Sequence, residues 1–204
     1  MKPQVTGLRL RQGQARAAAP ARRWLCYGDS IAEGWTATGP ARSWPAVAAR
    51  EHDLDFCNLG YAGAARGEIV SALHVASLPA DVISLSHGTN CWSRTPHSVE
   101  QITADYRAFL HVVRGGHPTT PLVVVSPVVR PDAETVPNAL GATLEEIRAA
   151  IESVVGERQG SDPNLTLVPG ADLIEAADLV DGIHPGDGGH QKIAGAVGPL
   201  LDPP

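Results

Sequence analysis

The sequence predicts an α/β domain, a parallel five-stranded sheet doubly wound with helices on both faces. Three observations point there. Short apolar runs alternate with longer amphipathic ones, the pattern of buried parallel strands joined by crossover helices. The 204 residues suffice for one domain with a sizeable core and are too few for two of ordinary size. A hydrophobic fraction of 43% suits a globular chain, and 21 glycines with 17 prolines fall short of a low-complexity composition, so they mark ordered turns.

In chain order, Trp24–Tyr27 reads as the first strand, and Gly28-Asp29-Ser30 turns tightly from it into an element beginning at Ile31. A helix at Trp44–Glu51 leads to the second strand, Asp55–Leu59, and a helix at Gly67–Val75 leads to the third, Val82–Ser86. Ser98–Val113 is the next helix. The fourth strand, Leu122–Ser126, lies inside Pro121–Val129, the longest strongly apolar run and less than half of the roughly 20 residues that span a bilayer. Thr143–Val155 opens with Glu145 and Glu146 in its first turn, where the helix dipole favours acid, and Leu144, Ile147, Ile151 and Val154 recur at helical spacing. Leu165–Val168 is the fifth strand and Gly189–Val197 the last helix. No internal repeat and no long linker interrupts this series.

Charge divides the chain unevenly. The net charge of −6 disfavours nonspecific binding to nucleic acid and anionic lipid. Lys2, Arg9, Arg11, Arg16, Arg22 and Arg23 precede every acidic residue, so a basic arm over residues 1–22 stands before an acidic body, whose net charge from residue 24 onward is −12. The arm is expected to lie on that body, frayed at its start. No apolar stretch follows the early basic residues as in a signal peptide, and Cys26, Cys57 and Cys91 form no CxxC pair; both suit a reducing, cytoplasmic setting.

Sheets of this kind place active groups at the carboxyl ends of their strands. Reading off those ends gives Ser30 after the first strand, Gly60 after the second and Asn90 after the third, with Asp181 and His184 in the loop beyond the fifth. A serine hydroxyl is a weak nucleophile until a base takes its proton. Ser30 sits where Gly28 permits unusual backbone angles, His184 is the natural base, and Asp181, three residues upstream, can accept its Nδ1 hydrogen and fix the tautomer. The backbone amides of Ser30 and Gly60 with the Asn90 side-chain amide would form an oxyanion hole.

Gly28-Asp29-Ser30-Ile31, Asn58-Leu59-Gly60, Gly88-Thr89-Asn90 and Asp181-Gly182-Ile183-His184-Pro185 resemble, in order and spacing, the four blocks of the SGNH hydrolases, also called GDSL esterases/lipases. The resemblance covers about residues 23–198. It implies a flavodoxin-like sheet of order 2-1-3-4-5 and a hydrolase domain over 23–204. By that resemblance Ser30 is the nucleophile, His184 the base, Asp181 its partner, and Ser30, Gly60 and Asn90 the oxyanion donors, with no metal or organic cofactor. Val5–Leu10 looks like the last strand of an accessory domain found ahead of some bacterial members.

Each assignment has a plainer competitor. Ser30 alone would read as a helix N-cap, and Asn90 as a turn residue. Cys91, Trp92, Glu33 and Trp35 are candidate pocket walls or, failing that, ordinary core or surface. His87 adjoins the third block, with its facing undecided; His190 reads as a packing or capping group. Asp181 and His184 lack a third ligand at motif spacing, so a metal centre is not expected. The expected activity is hydrolysis of a small-molecule ester through an acyl-enzyme. An acyltransferase with the same nucleophile and a non-catalytic flavodoxin-like binding module are the alternatives. Oligomeric state is not legible.

Overall fold

The computed structural model describes residues 12–13 and 21–201. Its parallel sheet is built from β1 (Arg22–Gly28), β2 (Leu54–Gly60), β3 (Val82–Ser86), β4 (Leu122–Val125) and β5 (Leu165–Val168), in the order β2-β1-β3-β4-β5. Successive side chains of a strand point to opposite faces, and here the period of two sorts residues between two cores. Leu25, Tyr27, Ile83, Leu85, Leu122 and Val124 enter one; Trp24, Cys26, Val82, Val123 and Val125 enter the other. Being buried on both faces is why the central strands read as unbroken apolar runs.

The first core is covered by α3 (Ile69–Ser77), α4 (Val99–Gly116) and α5 (Leu144–Gln159), and the second by α1 (Ser30–Glu33), α2 (Trp44–Glu51) and α6 (Asp187–Leu201). Capping boxes start α4, through Ser98 and Gln101, and α5, through Thr143 and Glu146. At the far end of α4, the buried Arg114 donates five hydrogen bonds, to both Asp162 carboxylate oxygens and to the carbonyls of His117, Thr120 and Asn164. Every guanidinium nitrogen there is used within the protein.

Most elements differ from the sequence expectation by a few residues at their ends, and two of these differences have a visible cause. Helix α6 runs past Val197 and through Pro199, although its glycines and proline have poor helix propensity. Close packing overrides the propensity: a Cβ on Gly198 would lie 2.6 Å from His52 Nε2, so glycine lets α6 lie against the end of α2. Strand β1 begins at Arg22, which pairs with Leu54, and the Arg23 amide donates to Asp81 Oδ2 at 2.7 Å. The last two charges of the basic arm therefore belong to the sheet. The Val5–Leu10 strand and the expected docking of the arm lie outside the described residues. No helix among the described residues is long and apolar enough to cross a membrane.

Candidate active site

Strand β1 ends in a tight passage. A Cβ on Gly28 would stand 2.5 Å from Ala32 Cβ and 2.7 Å from the Ser86 carbonyl oxygen, so α1 can fold back over the strand end only if residue 28 has no side chain. The φ of Gly28 is not positive. Close approach, and not the unusual backbone angle expected from the sequence, is thus its reason. Asp29 caps the single turn of α1 by accepting the Ile31 N–H at 2.9 Å, and Gly34 ends it at φ 94°. Burial pushes the Asp29 carboxyl up to about 6, against the opposing pull of the Ile31 amide and the nearby His184.

The first residue of α1 is Ser30, whose Oγ lies 2.8 Å from His184 Nε2. His184 Nδ1 is 2.7 Å from Asp181 Oδ2, and Asp181 Oδ1 accepts the backbone N–H groups of Ile183 at 3.0 Å and His184 at 2.8 Å. Partial burial raises the Asp181 carboxyl, but the hydrogen bonds from His184 and Ile183 outweigh it and hold the group at about 2. The loop carrying both residues is closed by an antiparallel bridge between Leu179 and Pro185 and turns at Gly182, φ 81°. Thr36 Oγ1 donates to the Pro185 carbonyl at 2.9 Å. Thr36 holds φ 66°, rare for a β-branched residue, so the contact is kept against backbone strain.

After β3, Gly88 adopts φ 136° where a Cβ would meet Ile151 Cδ1 at 2.6 Å, and a short helical turn over Thr89–Cys91 follows. Asn90 Oδ1 accepts the Ala65 N–H at 3.1 Å. That bond fixes the amide orientation and leaves Nδ2 for the cavity that Asn90 lines.

Ser30, His184 and Asn90 open onto a cavity of about 450 Å³. One side carries Trp35 and Ile183, the Trp35 ring centroid 6.0 Å from that of His184; Ala62 and Gly63 come from the loop after β2, and Ser93, Arg94 and Arg130 complete the lining. Four sequence expectations change here. Gly60 is not at the cavity, and its N–H donates to Asn58 Oδ1 at 2.8 Å; glycine is needed there because a Cβ would meet the Glu33 amide nitrogen at 2.5 Å. Cys91 points into the first core, where burial pushes its thiol far up. Trp92 supports the wall without forming it: its Nε1 donates to the Val136 carbonyl at 2.8 Å, and the Arg130 guanidinium lies 4.8 Å from its ring centroid. Glu33 accepts the Ala62 N–H at 3.0 Å and so braces a lining segment from behind.

His87 faces away from this cavity. It is buried among Tyr27, Tyr106 and Phe109, stacked on Tyr106 at 4.7 Å, and burial lowers its pKa to about 3. His190 is the packing group that its position suggests, fully buried, with Nδ1 accepting the Trp44 N–H at 3.3 Å. Sequence reasoning missed Gly63, Thr36, Arg94 and Arg130. The first lies three residues from a plausible glycine, and the arginines sit in loops without periodicity. Among the described residues no cluster of three or more His, Cys, Asp or Glu side chains is placed to hold a metal.

A parallel sheet of this order with a polar cluster at its carboxyl edge defines a class of α/β proteins broader than any one chemistry. Within it, the sequence model of the GDSL-like lipase/acylhydrolase family matches residues 26–192, and the chain belongs to that family. Among solved structures it is similar to SsfX3, a salicylyl-acyltransferase from a tetracycline biosynthetic pathway, at 28% identity and TM-score 0.78, over 89% of this chain and 54% of that one. A protein from Bacteroides ovatus ATCC 8483, described as a GDSL-like lipase, is similar at 27% identity and TM-score 0.74, over 88% of this chain and 53% of that one. This chain thus spans about half the length of each. A family two carbohydrate esterase from Clostridium thermocellum shares the fold, at 16% identity and TM-score 0.72, over 90% of this chain and 65% of that one. No curated protein matches the chain.

Proposed function

We propose that the protein is an SGNH-type serine esterase that cleaves a small carboxylic ester through an acyl-enzyme. The observation that carries this reading is the hydrogen-bonded line from Ser30 Oγ to His184 Nε2 at 2.8 Å and from His184 Nδ1 to Asp181 Oδ2 at 2.7 Å, at the floor of a cavity. Ser30 Oγ attacks the ester carbonyl as its proton passes to Nε2, and the imidazolium then protonates the leaving alcohol oxygen. Water, deprotonated by the same imidazole, attacks the acyl-enzyme and releases the acid. Asp181, kept ionised, holds the tautomer and stabilises the imidazolium without itself taking a proton.

The tetrahedral intermediate needs donors aimed at its oxyanion. The Ser30 N–H, in the first turn of α1, has no acceptor within its helix. Asn90 Nδ2 is the second donor. For the third, the Gly63 N–H replaces Gly60, because Gly63 lines the cavity and Gly60 gives its hydrogen to Asn58.

Ser30→Ala should abolish turnover of a chromogenic short-chain ester and labelling by a fluorophosphonate while the protein stays folded; retained turnover refutes the assignment. Asn90→Ala should lower kcat by about 10²–10³, the scale of one lost oxyanion donor. Acyl transfer is the second reading, favoured by the 28% identity to a salicylyl-acyltransferase. Product analysis with competing alcohols separates the two, since a transferase yields the new ester in preference to the free acid.

A further inference from the structure

The body of this protein is strongly acidic, yet among the described residues its 450 Å³ cavity is lined by two arginines and by no carboxylate. Arg94 differs from the structural arginines. Arg114 and Arg148 are buried and spend their guanidinium nitrogens on carboxylates and backbone carbonyls. Arg130 is intermediate: it is buried, its guanidinium carbon lies 4.8 Å from the Trp92 ring centroid, and Nε and Nη2 donate to the Asp132 carboxylate at 2.9 Å each, which leaves only Nη1 with no protein acceptor among the described residues. Of the ten cations from residue 24 onward, Arg94 alone has no hydrogen bond or ion pair among the described residues. One cation held by Trp92 and Asp132 and one without a partner among the described residues line the same cavity.

The walls also assign the two halves of an ester. The leaving alcohol oxygen must come within hydrogen-bond reach of His184 Nε2, and the residues flanking that imidazole are Trp35 and Ile183. These belong to the side built from α1 and the loop before α6. Arg94 and Arg130 follow β3 and β4, and Trp92 beneath Arg130 packs against the first core, under α4 and α5. The acyl group therefore extends away from His184, past Asn90, toward the arginines.

We propose that the preferred acyl group carries a carboxylate at its far end, so that the substrate is a half-ester of a short dicarboxylic acid. This rests on the esterase reading above. A guanidinium with free N–H groups matches a carboxylate in charge and in planar geometry, and a cavity of about 450 Å³ accommodates a chain of several carbons between the two ends. A neutral acyl group of the same length would offer no anion to Arg94 and no charged acceptor to Arg130 Nη1, whose other nitrogens are held by Asp132.

The test compares the mono-4-nitrophenyl ester of adipic acid with its methyl-capped neutral counterpart, subtracting the spontaneous rates. The anionic ester should be favoured in kcat/KM by about tenfold, as one charge-assisted contact supplies, and less so in high salt. Arg94→Gln and Arg130→Gln should each bring that ratio toward one, chiefly through KM on the anionic ester. Arg94 is exposed and has no partner among the described residues, so its variant keeps the test readable if Arg130→Gln disturbs the loop. A ratio near one in the unaltered protein, or a preference that survives both substitutions, overturns the proposal. If neither ester is turned over, the esterase reading fails by itself. Calorimetric titration of Ser30→Ala protein with monomethyl and dimethyl adipate then decides the anion site: tighter binding of the monomethyl anion, lost in the arginine variants, supports it, and equal binding refutes it.

Discussion

Two aspartates flank Ser30, and their surroundings move them in opposite directions. Asp29 belongs to the rigid end of β1, buried between sheet and helix, and burial lifts its carboxyl to about 6. Asp181 rides a loop outside the sheet, its side chain 41% exposed, and hydrogen bonds to His184 and Ile183 hold it at about 2. The contrast teaches that position relative to the sheet, and not residue type, decides which carboxylate is available to carry a charge beside the imidazole. Asp29 shapes the backbone that carries Ser30; Asp181 orients the His184 ring.

The largest expected break of that contrast is Asp181→Asn, which should reduce kcat by about 10⁴ while the protein stays folded, measured by steady-state kinetics and a thermal scan. A small loss of rate would make Asp181 a loop residue only. Next comes the pH dependence of stability. The folded pKa of Asp29, about 6, stands above its ordinary 3.8, so its contribution is full below about pH 4 and is lost as pH rises through 6. Asp181 has the opposite sign, since a carboxyl held at about 2 contributes above its ordinary 3.8 and loses this as pH falls through 2. Urea titrations of Asp29→Asn and the unaltered protein should therefore show the variant gaining relative stability between pH 4 and pH 7; a constant gap would mean that Asp29 is not desolvated. In the same assay Asp29→Ala, which also removes the α1 cap, should cost about 1 kcal/mol near pH 4, where the folded carboxyl is protonated and the cost of burying its charge does not enter. The smallest effect belongs to Thr36→Ala, which frees the Pro185 carbonyl and should lower kcat about fivefold, roughly one neutral hydrogen bond, with Thr36→Ser restoring it.

Much of this arrangement is written in the sequence at the level of strands. The apolar runs at Trp24, Val82, Leu122 and Leu165 are strands because burial on two faces leaves no room for polar alternation, and each brings its following residue to the same edge. Ser30, Asn90, Asp181 and His184 could be found in this way. Distances between loops could not. Whether Gly60 or Gly63 turns its amide to the cavity depends on the path of the chain after β2, where Asn58 accepts from the nearer glycine. Cys91 and Trp92 lie off the cavity because one turn of helix after Gly88 rotates the thiol into the core and the indole behind Arg130, which the spacing from Asn90 alone does not reveal. The extent of α6 escaped prediction because glycine-mediated contact with α2, not propensity, sustains it.

Along the segment that follows β3, chemistry and selection are separated by only a few residues. Asn90 is fixed by Ala65 and Cys91 is locked in the core, while Arg94 is exposed and bonded to nothing among the described residues. If the cavity holds an acyl group as proposed, a substitution at position 94 redraws what it accepts without disturbing Ser30, His184 or Asn90. For laboratory evolution that reading makes position 94 a dial for acyl preference: randomising it should yield folded proteins that differ in appetite and share one reaction.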